Sequence, residues 1–448
     1  MKNINIAWVA NLSPYTDATL ILDESEIAHK RREVPHLEAE KLRIAMLSVH
    51  SDPMGDLGTK DTGGMSVYVR ELARELGTRG HMVDIYTRLN GSRQRQIARL
   101  YENVRLVHLR AGENGEMNKL ALYGHLDEFF KELEKFRIRE SLAYDLVHSH
   151  YWLSGRVGKW ATETWAVPHV FMFHTVGAVK NSTAGSEKEP ELRTAIEKHL
   201  ARNCDRILVA TDKERRHLLQ HYGADPETIG VVPCGVNLDL FRPWDRATAR
   251  HQLGFTGDEA IVLFVGRFAP VKGIDRLMAA IAYLQHHRRL RLVLVGGDGN
   301  NTPEYQRFQR LARKLSIQNS VSFVGRIEQD RLPPYYSAAD VLVVPSYYES
   351  FGLVALEALA SGTPVVATKV GAMESILRGD KTGHVVSNGS PRSLAKSIEK
   401  FISGSNGLSA QEVRASVFRY SWANVASAMI DQYGAVLREY GLTSCCCG

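Results

Sequence analysis

Cysteine is scarce in this chain and badly placed for cross-linking: of five in 448 residues, Cys204 and Cys234 stand alone and Cys445, Cys446 and Cys447 crowd the last four positions. That pattern gives no disulfide framework, and adjacent cysteines lack the separated pairs of a zinc site. Long apolar runs are also missing. No stretch approaches the roughly 18 consecutive apolar residues of a membrane-spanning helix, and the opening MKNINIAWVANL lacks the charged leader and apolar run of a secretory signal. A cytoplasmic location is therefore expected. Charge of one sign is not in excess either. The 56 Lys and Arg stand against 50 Asp and Glu, interspersed rather than blocked, so nucleic acid is not an expected partner. The small positive excess suits an anionic substrate, and it is compatible with weak peripheral contact at an anionic membrane surface or with a homodimer.

Familiar catalytic signatures are absent as well. The chain has no GxxxxGK[ST] loop, no GxSxG elbow and no HExxH helix. It also lacks an Asp-x-Asp of the kind that chelates a divalent metal, so no metal or cofactor is expected, and cations that neutralise a phosphate must come from side chains.

What the sequence does contain is a long alternation of short apolar strands with amphipathic helical segments, the pattern of parallel sheets built from βαβ units. A first series runs through LRIAMLSVH at 42–50, MVDIYTR, VRLVHL, YDLVHSH, HVFMFH and RILVAT to IGVVP at 229–233. After CGVNLDLFRPW, whose Gly235 and Pro243 mark a hinge, a second series follows: IVLFVGR, RLVLVGG, SVSFVGR, DVLVVPS and TPVVAT. Apolar residues fill both faces of these strands, as in buried parallel sheets. The expected organisation is an appendage at 1–40, a Rossmann-like domain at 41–235, a second at 236–420, a closing helix at 421–440 and a cysteine-containing tail at 441–448.

Four segments carry candidate chemistry. Gly63 and Gly64 stand directly before an amphipathic helix, where the backbone can approach a ligand and the helix N-terminus can face an anion; a plain tight turn explains the pair equally well. VGRFAPVKG places Arg267 and Lys272 at the end of a buried strand, where open α/β sheets bind ligands. Such cations can clamp a diphosphate, although two basic loop residues are also ordinary solvated surface. In PSYYESFGLVALEALASGTPVVAT, Glu349 lies in the loop and Glu357 two turns into the helix, while the amides around Phe351, Gly352, Leu353 and Val354 can cap phosphate oxygens. His150, in DLVHSHYWLSG, sits at a strand end and can reach a sugar hydroxyl.

Taken in order, GGMSVYVRELARELGTRGH, VGRFAPVKG and ESFGLVALEALASGTPVVAT resemble the family-four retaining glycosyltransferases over about 42–440. Within that family, DTGGMSVYV, HSHYWLSG and HTVGAVKNS are most similar to the D-inositol-3-phosphate glycosyltransferases. The resemblance implies a GT-B fold of two doubly wound Rossmann-like domains facing a cleft, with a last helix crossing back. It implies a hexosyl donor, glucose or N-acetylglucosamine on a nucleoside diphosphate such as UDP, held mainly by the C-terminal half. Carried over by position, Gly63, Gly64, Arg267 and Lys272 serve the diphosphate, Glu357 the ribose, Arg326 and Ile327 the base, and Glu349 and His150 the sugar, with Ser350 also on the donor side; His150, Arg267, Lys272 and Glu349 are the catalytic candidates. Ser66, Thr175 and Lys180 fall on the acceptor side. Ser66 replaces the Asn of the inositol-phosphate enzymes, which puts that acceptor in question. Sucrose-phosphate synthase is the next resemblance, and a noncatalytic nucleotide-sugar-binding protein is the alternative of a different class.

Overall fold

In the computed structural model, the described residues are 41–445, excluding 59–61, 92–93, 184–186, 257, 286–288, 298, 300–301, 378–381, 404–406 and 408. The expected appendage at 1–40, together with Cys446 and Cys447 of the tail, lies outside them.

Two sheets organise the chain. The first contains β1 (Arg43–Leu47), β2 (Met82–Arg88), β3 (Ile97–Tyr101), β4 (Val104–Leu109), β5 (Leu146–His150), β6 (His169–Met172), β7 (Arg206–Val209) and β8 (Ile229–Val231), in the order β3-β4-β2-β1-β5-β6-β7-β8. The second contains β9 (Ala260–Val265), β10 (Leu290–Val295), β11 (Val321–Gly325), β12 (Val341–Val344), β13 (Val365–Thr368) and β14 (Gly383–Val386), in the order β11-β10-β9-β12-β13-β14. Every pairing is parallel except β3 with β4. These are the two parallel α/β domains expected from the strand pattern, in the GT-B arrangement that the family resemblance implies. Two strands escape that pattern. β3 is a half-exposed antiparallel edge whose IARLY has no buried run, and β14 is a four-residue strand opening on Gly383.

Strand order reverses between β1 and β5 in the first sheet and between β9 and β12 in the second. At such a switch point the following connections diverge to opposite faces and leave a crevice at the carboxyl ends. The four segments singled out in the sequence follow β1, β5, β9 and β12. Topology thus places all of them at two crevices, one per sheet.

Six helices matter for the site: α1 (Gly64–Thr78), α2 (Tyr151–Trp165), α3 (Gly177–Ser182), α4 (Glu191–Asn203), α5 (Leu353–Ala360) and α6 (Trp422–Cys445). The last begins near the expected Ser421 and continues past Tyr440 to Cys445. It packs on the first half. Arg79 Nη1 donates to Ser427 Oγ at 2.9 Å, and Arg206 Nη2 grips both carboxylate oxygens of Glu439 at 2.6 and 2.7 Å. One apolar cluster runs from Ile44, Met46 and Leu72 through Trp422, Met429 and Tyr433 to Leu263, Leu342 and Leu356. The inner layers of both halves therefore share a core. None of the helices among the described residues is long and apolar enough to cross a membrane.

Trp422 is the pivot of that shared core. Its ring meets Tyr68 edge-on at 5.4 Å and lies so close over Gly235 that a Cβ there would sit 2.5 Å from it. Burying so large a ring contributes several kcal/mol, and truncation leaves a void the surroundings fill only partly. Trp422→Ala is expected to cost about 3–5 kcal/mol and to lower the thermal midpoint in calorimetry; an unchanged midpoint would show that the two halves hold together without it.

Candidate active site

The crevices of the two sheets face each other across α1 and α5. Gly63 is the N-cap of α1 without any side-chain cap bond, and Gly352 is the N-cap of α5 in the left-handed region at φ 106°, again without one. Both helices therefore begin with amides that no side chain satisfies, the arrangement that receives anions. The two starts lie close together: a Cβ built on Gly64 would lie 3.4 Å from Leu353 Cδ1. Glycine at 64 keeps the backbone bare at the point where the halves meet.

Beside α5, the loops after β9 and β12 are joined by the bond from Tyr347 N to Val271 O at 2.8 Å. Gly273 closes the first loop at φ 67°, its Cα so near the second that a Cβ would stand 2.1 Å from Pro345 O. This packing puts Lys272 Nζ 2.6 Å from Glu349 Oε1, which also accepts from Ser346 Oγ at 2.8 Å. Two residues placed in separate segments by sequence thus form one ion pair. Arg267 lies exposed on the rim of the same loop. Of the other α5 segment residues, Phe351 is buried in the core, whereas Ser350, Leu353 and Val354 are half-exposed.

Glu357 is almost fully buried on α5. It accepts from Tyr336 Oη at 2.7 Å and from Gln329 Nε2 at 3.0 Å. Burial raises its pKa, against the lowering effect of those two donors and of the Arg70 charge. Arg326 bridges to the first half through Asp56, with Nη2 3.3 Å from Oδ2, and the neighbouring Ile327 packs against the shared core.

On the first half, His150 ends β5 and caps α2. It is wholly buried. Its Nδ1 is 2.9 Å from His174 Nε2, its ring is 4.2 Å from that of His148, and among the described residues its Nε2 has no partner. Strand periodicity could not reveal His174. It follows β6 in HTVGAVKNS, where only Thr175 and Lys180 drew notice, and its left-handed backbone (φ 58°) is a tertiary feature. Tyr151, beside His150, is likewise left-handed at φ 74°. Two such residues along one crevice mark a site where the fold holds unfavourable backbone in place.

The acceptor-side residues fall into two groups. Ser66 is fully buried, its hydroxyl 2.7 Å from that of Ser51 in the loop after β1. Thr175 and Lys180 share a charged cluster on α3 and α4. Arg193, which sequence reading passed over as one cation on an ordinary helix, donates from Nη2 to Thr175 O and Oγ1 at 2.9 and 2.8 Å. It pairs with Glu189 at 2.9 Å and Glu197 at 2.7 Å, and Lys180 pairs with Glu189. Burial opposes the Glu189 charge, but Arg193 and Lys180 hold its pKa below the ordinary carboxylate value. Burial raises that of Glu197.

Residues 62–240 match the family model described as Glycosyltransferase Family 4, and residues 245–416 match that of Glycosyl transferases group 1. A relative from Catenulispora acidiphila, D-inositol 3-phosphate glycosyltransferase 2, is 39% identical over 414 residues, covering 90% of this chain and 97% of its own length. The chain belongs to the family-four glycosyltransferases. Among solved structures, this glycosyltransferase superposes on the sucrose-phosphate synthase of Thermosynechococcus elongatus with a TM-score of 0.81 at 33% identity, covering 89% of this chain and all of that one. Anabaena HepE in complex with UDP-glucose shares the fold at 20% identity and a TM-score of 0.62, over 90% and 99% of the two chains.

The buried imidazoles carry a stability signature. Burial pushes His148 and His174 down to about 3, and His150 well below its ordinary value. The folded glycosyltransferase keeps them neutral, whereas the unfolded chain takes up protons as pH falls through about 6.5. The unfolded state then binds more protons, so stability decreases with falling pH in the window from about 6.5 towards 3. Thermal midpoints measured between pH 7.5 and 5 should fall, and His174→Gln should flatten the slope; an unaltered slope would remove the imidazole cluster as its source.

Proposed function

We propose that this enzyme transfers a hexosyl group, glucose or N-acetylglucosamine, from a UDP-linked donor to a hydroxyl of a small polar, phosphorylated acceptor, with retention of anomeric configuration. The observation that carries the reading is the convergence of Lys272, Glu349 and the bare N-terminus of α5 on the gap opposite Gly64.

In this reading the donor diphosphate lies over the α5 amides between Arg267 and Lys272, with the α1 start closing from the other side. Glu357 accepts from the ribose diol, the backbone near Arg326 and Ile327 borders the base, and Glu349 and His150 receive sugar hydroxyls. The UDP-glucose complex of Anabaena HepE, a protein of the same fold, supports this donor class. The names of the curated relatives and of the sucrose-phosphate synthase support an acceptor bearing phosphate. Lys180 and Arg193 are the cations nearest such a group, and binding would draw Lys180 from Glu189 to phosphate.

Chemistry then follows from charge. The bond from the anomeric carbon to the diphosphate breaks as negative charge grows on the leaving oxygen, which Lys272, Arg267 and the helix amides stabilise most strongly in the transition state. The acceptor oxygen bonds to the same face of that carbon, and its proton passes to the departing diphosphate. Retention follows without a covalent sugar intermediate. Glu349 is held by Lys272 and Ser346 for binding rather than attack.

Calorimetry with UDP-, ADP- and GDP-linked glucose and N-acetylglucosamine tests the donor, and product formation with inositol phosphate, hexose phosphates and their unphosphorylated counterparts tests the acceptor. Lys272→Ala is expected to lower kcat by about 100- to 1000-fold. Lys180→Ala should raise KM about tenfold for phosphorylated acceptors alone. Binding of nucleotide sugars without transfer to any acceptor would instead identify a noncatalytic binder.

A further inference from the structure

Glu357 is linked to the opposite half of the molecule by a single chain of hydrogen bonds. Gln329 opens a short 3-10 turn after the Arg326 loop. Its Nε2 donates to Glu357 Oε1 at 3.0 Å, and its Oε1 accepts from Arg70 Nη2 at 2.6 Å. Arg70 belongs to α1, in the first half, where it also stands 3.5 Å from Glu71. The other oxygen of Glu357 is taken by Tyr336 from within its own half.

We propose that Arg70 and Gln329 are positioning residues that make Glu357 competent for the ribose diol only when the two halves are in contact. This rests on the reading of Glu357 as the ribose acceptor and goes beyond it by assigning two residues, one from each half, that set its state. The argument is one of donor and acceptor matching. A primary amide has one accepting end and one donating end. With Arg70 fixed on the oxygen, the nitrogen must face Glu357. Without Arg70 the carboxylate alone must hold the amide in that orientation, and the positive charge behind it is lost.

A diol donates two hydrogen bonds, so it needs an ionised carboxylate with lone pairs to spare. Glu357 is buried among apolar residues, an environment that disfavours its charge. Tyr336 and Gln329 together supply one donor to each oxygen, and Arg70 adds the positive charge behind Gln329 while Glu71 opposes it. The remaining lone pairs are left for ribose. Because α1 supplies Arg70, the link exists only while Gln329 and α1 meet, as they do here. Donor affinity and closure of the cleft thereby become a single coupled event.

The test compares binding of the tightest of UDP, ADP and GDP with that of its 2′,3′-dideoxy analogue, by calorimetry on the full chain. The wild-type protein should bind the dideoxy analogue more weakly. In Gln329→Ala that discrimination should shrink about tenfold, the worth of one charge-linked hydrogen bond. Arg70→Ala, on the other half, should shrink it by a similar factor, and the double variant should lose no more than the larger single loss, because both act through one chain. A merely structural role would weaken both nucleotides alike and leave their ratio unchanged. If both variants keep the wild-type ratio, the relay is wrong while the ribose reading of Glu357 stands. If the wild-type protein binds the two nucleotides equally, the ribose reading itself fails and the relay with it.

Discussion

The organising constraint is that two sheets present their carboxyl ends to one another, so that α1 and α5 begin on facing sides of one interface. Each start is a glycine without a side-chain cap, and each leaves amides pointing into the gap. One helix start is a common feature with no ligand implied. Two brought to one interface, with Lys272 beside them, offer donors of the kind that stabilise the negative charge a departing diphosphate gains in the proposed reaction. The shared core beneath α6 keeps this geometry, since Trp422 and Tyr433 belong to the same apolar cluster as Leu263 and Leu356.

Charges within the site are arranged in compensated groups. Lys272 is balanced by Glu349, and Arg193 and Lys180 by Glu189 and Glu197. Such pairing also means that binding exchanges partners rather than filling empty positions. A phosphate replacing a carboxylate beside a lysine gives up one anion for another, which suits reversible binding of substrate and release of product. The imidazoles behave differently. Packed against one another and Tyr68, His148, His150 and His174 are kept neutral by burial.

Much of this was legible in the sequence because it is local. Buried strands of β-branched residues announce parallel sheets, and a strand followed by a loop of glycine, arginine and lysine announces a crevice edge. That reasoning placed Gly64, Arg267, Lys272, Glu349 and Glu357 correctly with respect to the strand ends. What it could not see was mutual distance. The Lys272 to Glu349 pair spans 77 positions and the Arg70 to Gln329 bond spans 259; no periodicity encodes either. His174 and Arg193 were passed over because each is a common residue on an ordinary element, made distinctive only by its neighbours. The hydroxyl contact between Ser66 and Ser51 was equally out of reach, since it joins a helix to the loop before it. The edge strand β3 lacked a signal because half its residues face solvent.

The central claim is that a nucleoside diphosphate binds with its phosphates between Lys272 and the amides that open α5. A crystal structure of the protein with UDP tests it most directly. The account predicts phosphate oxygens within hydrogen-bonding distance of Lys272 Nζ and of the Gly352 and Leu353 amides, with the ribose hydroxyls on Glu357. Phosphates bound elsewhere, with Lys272 and the α5 amides turned away from them, would contradict it.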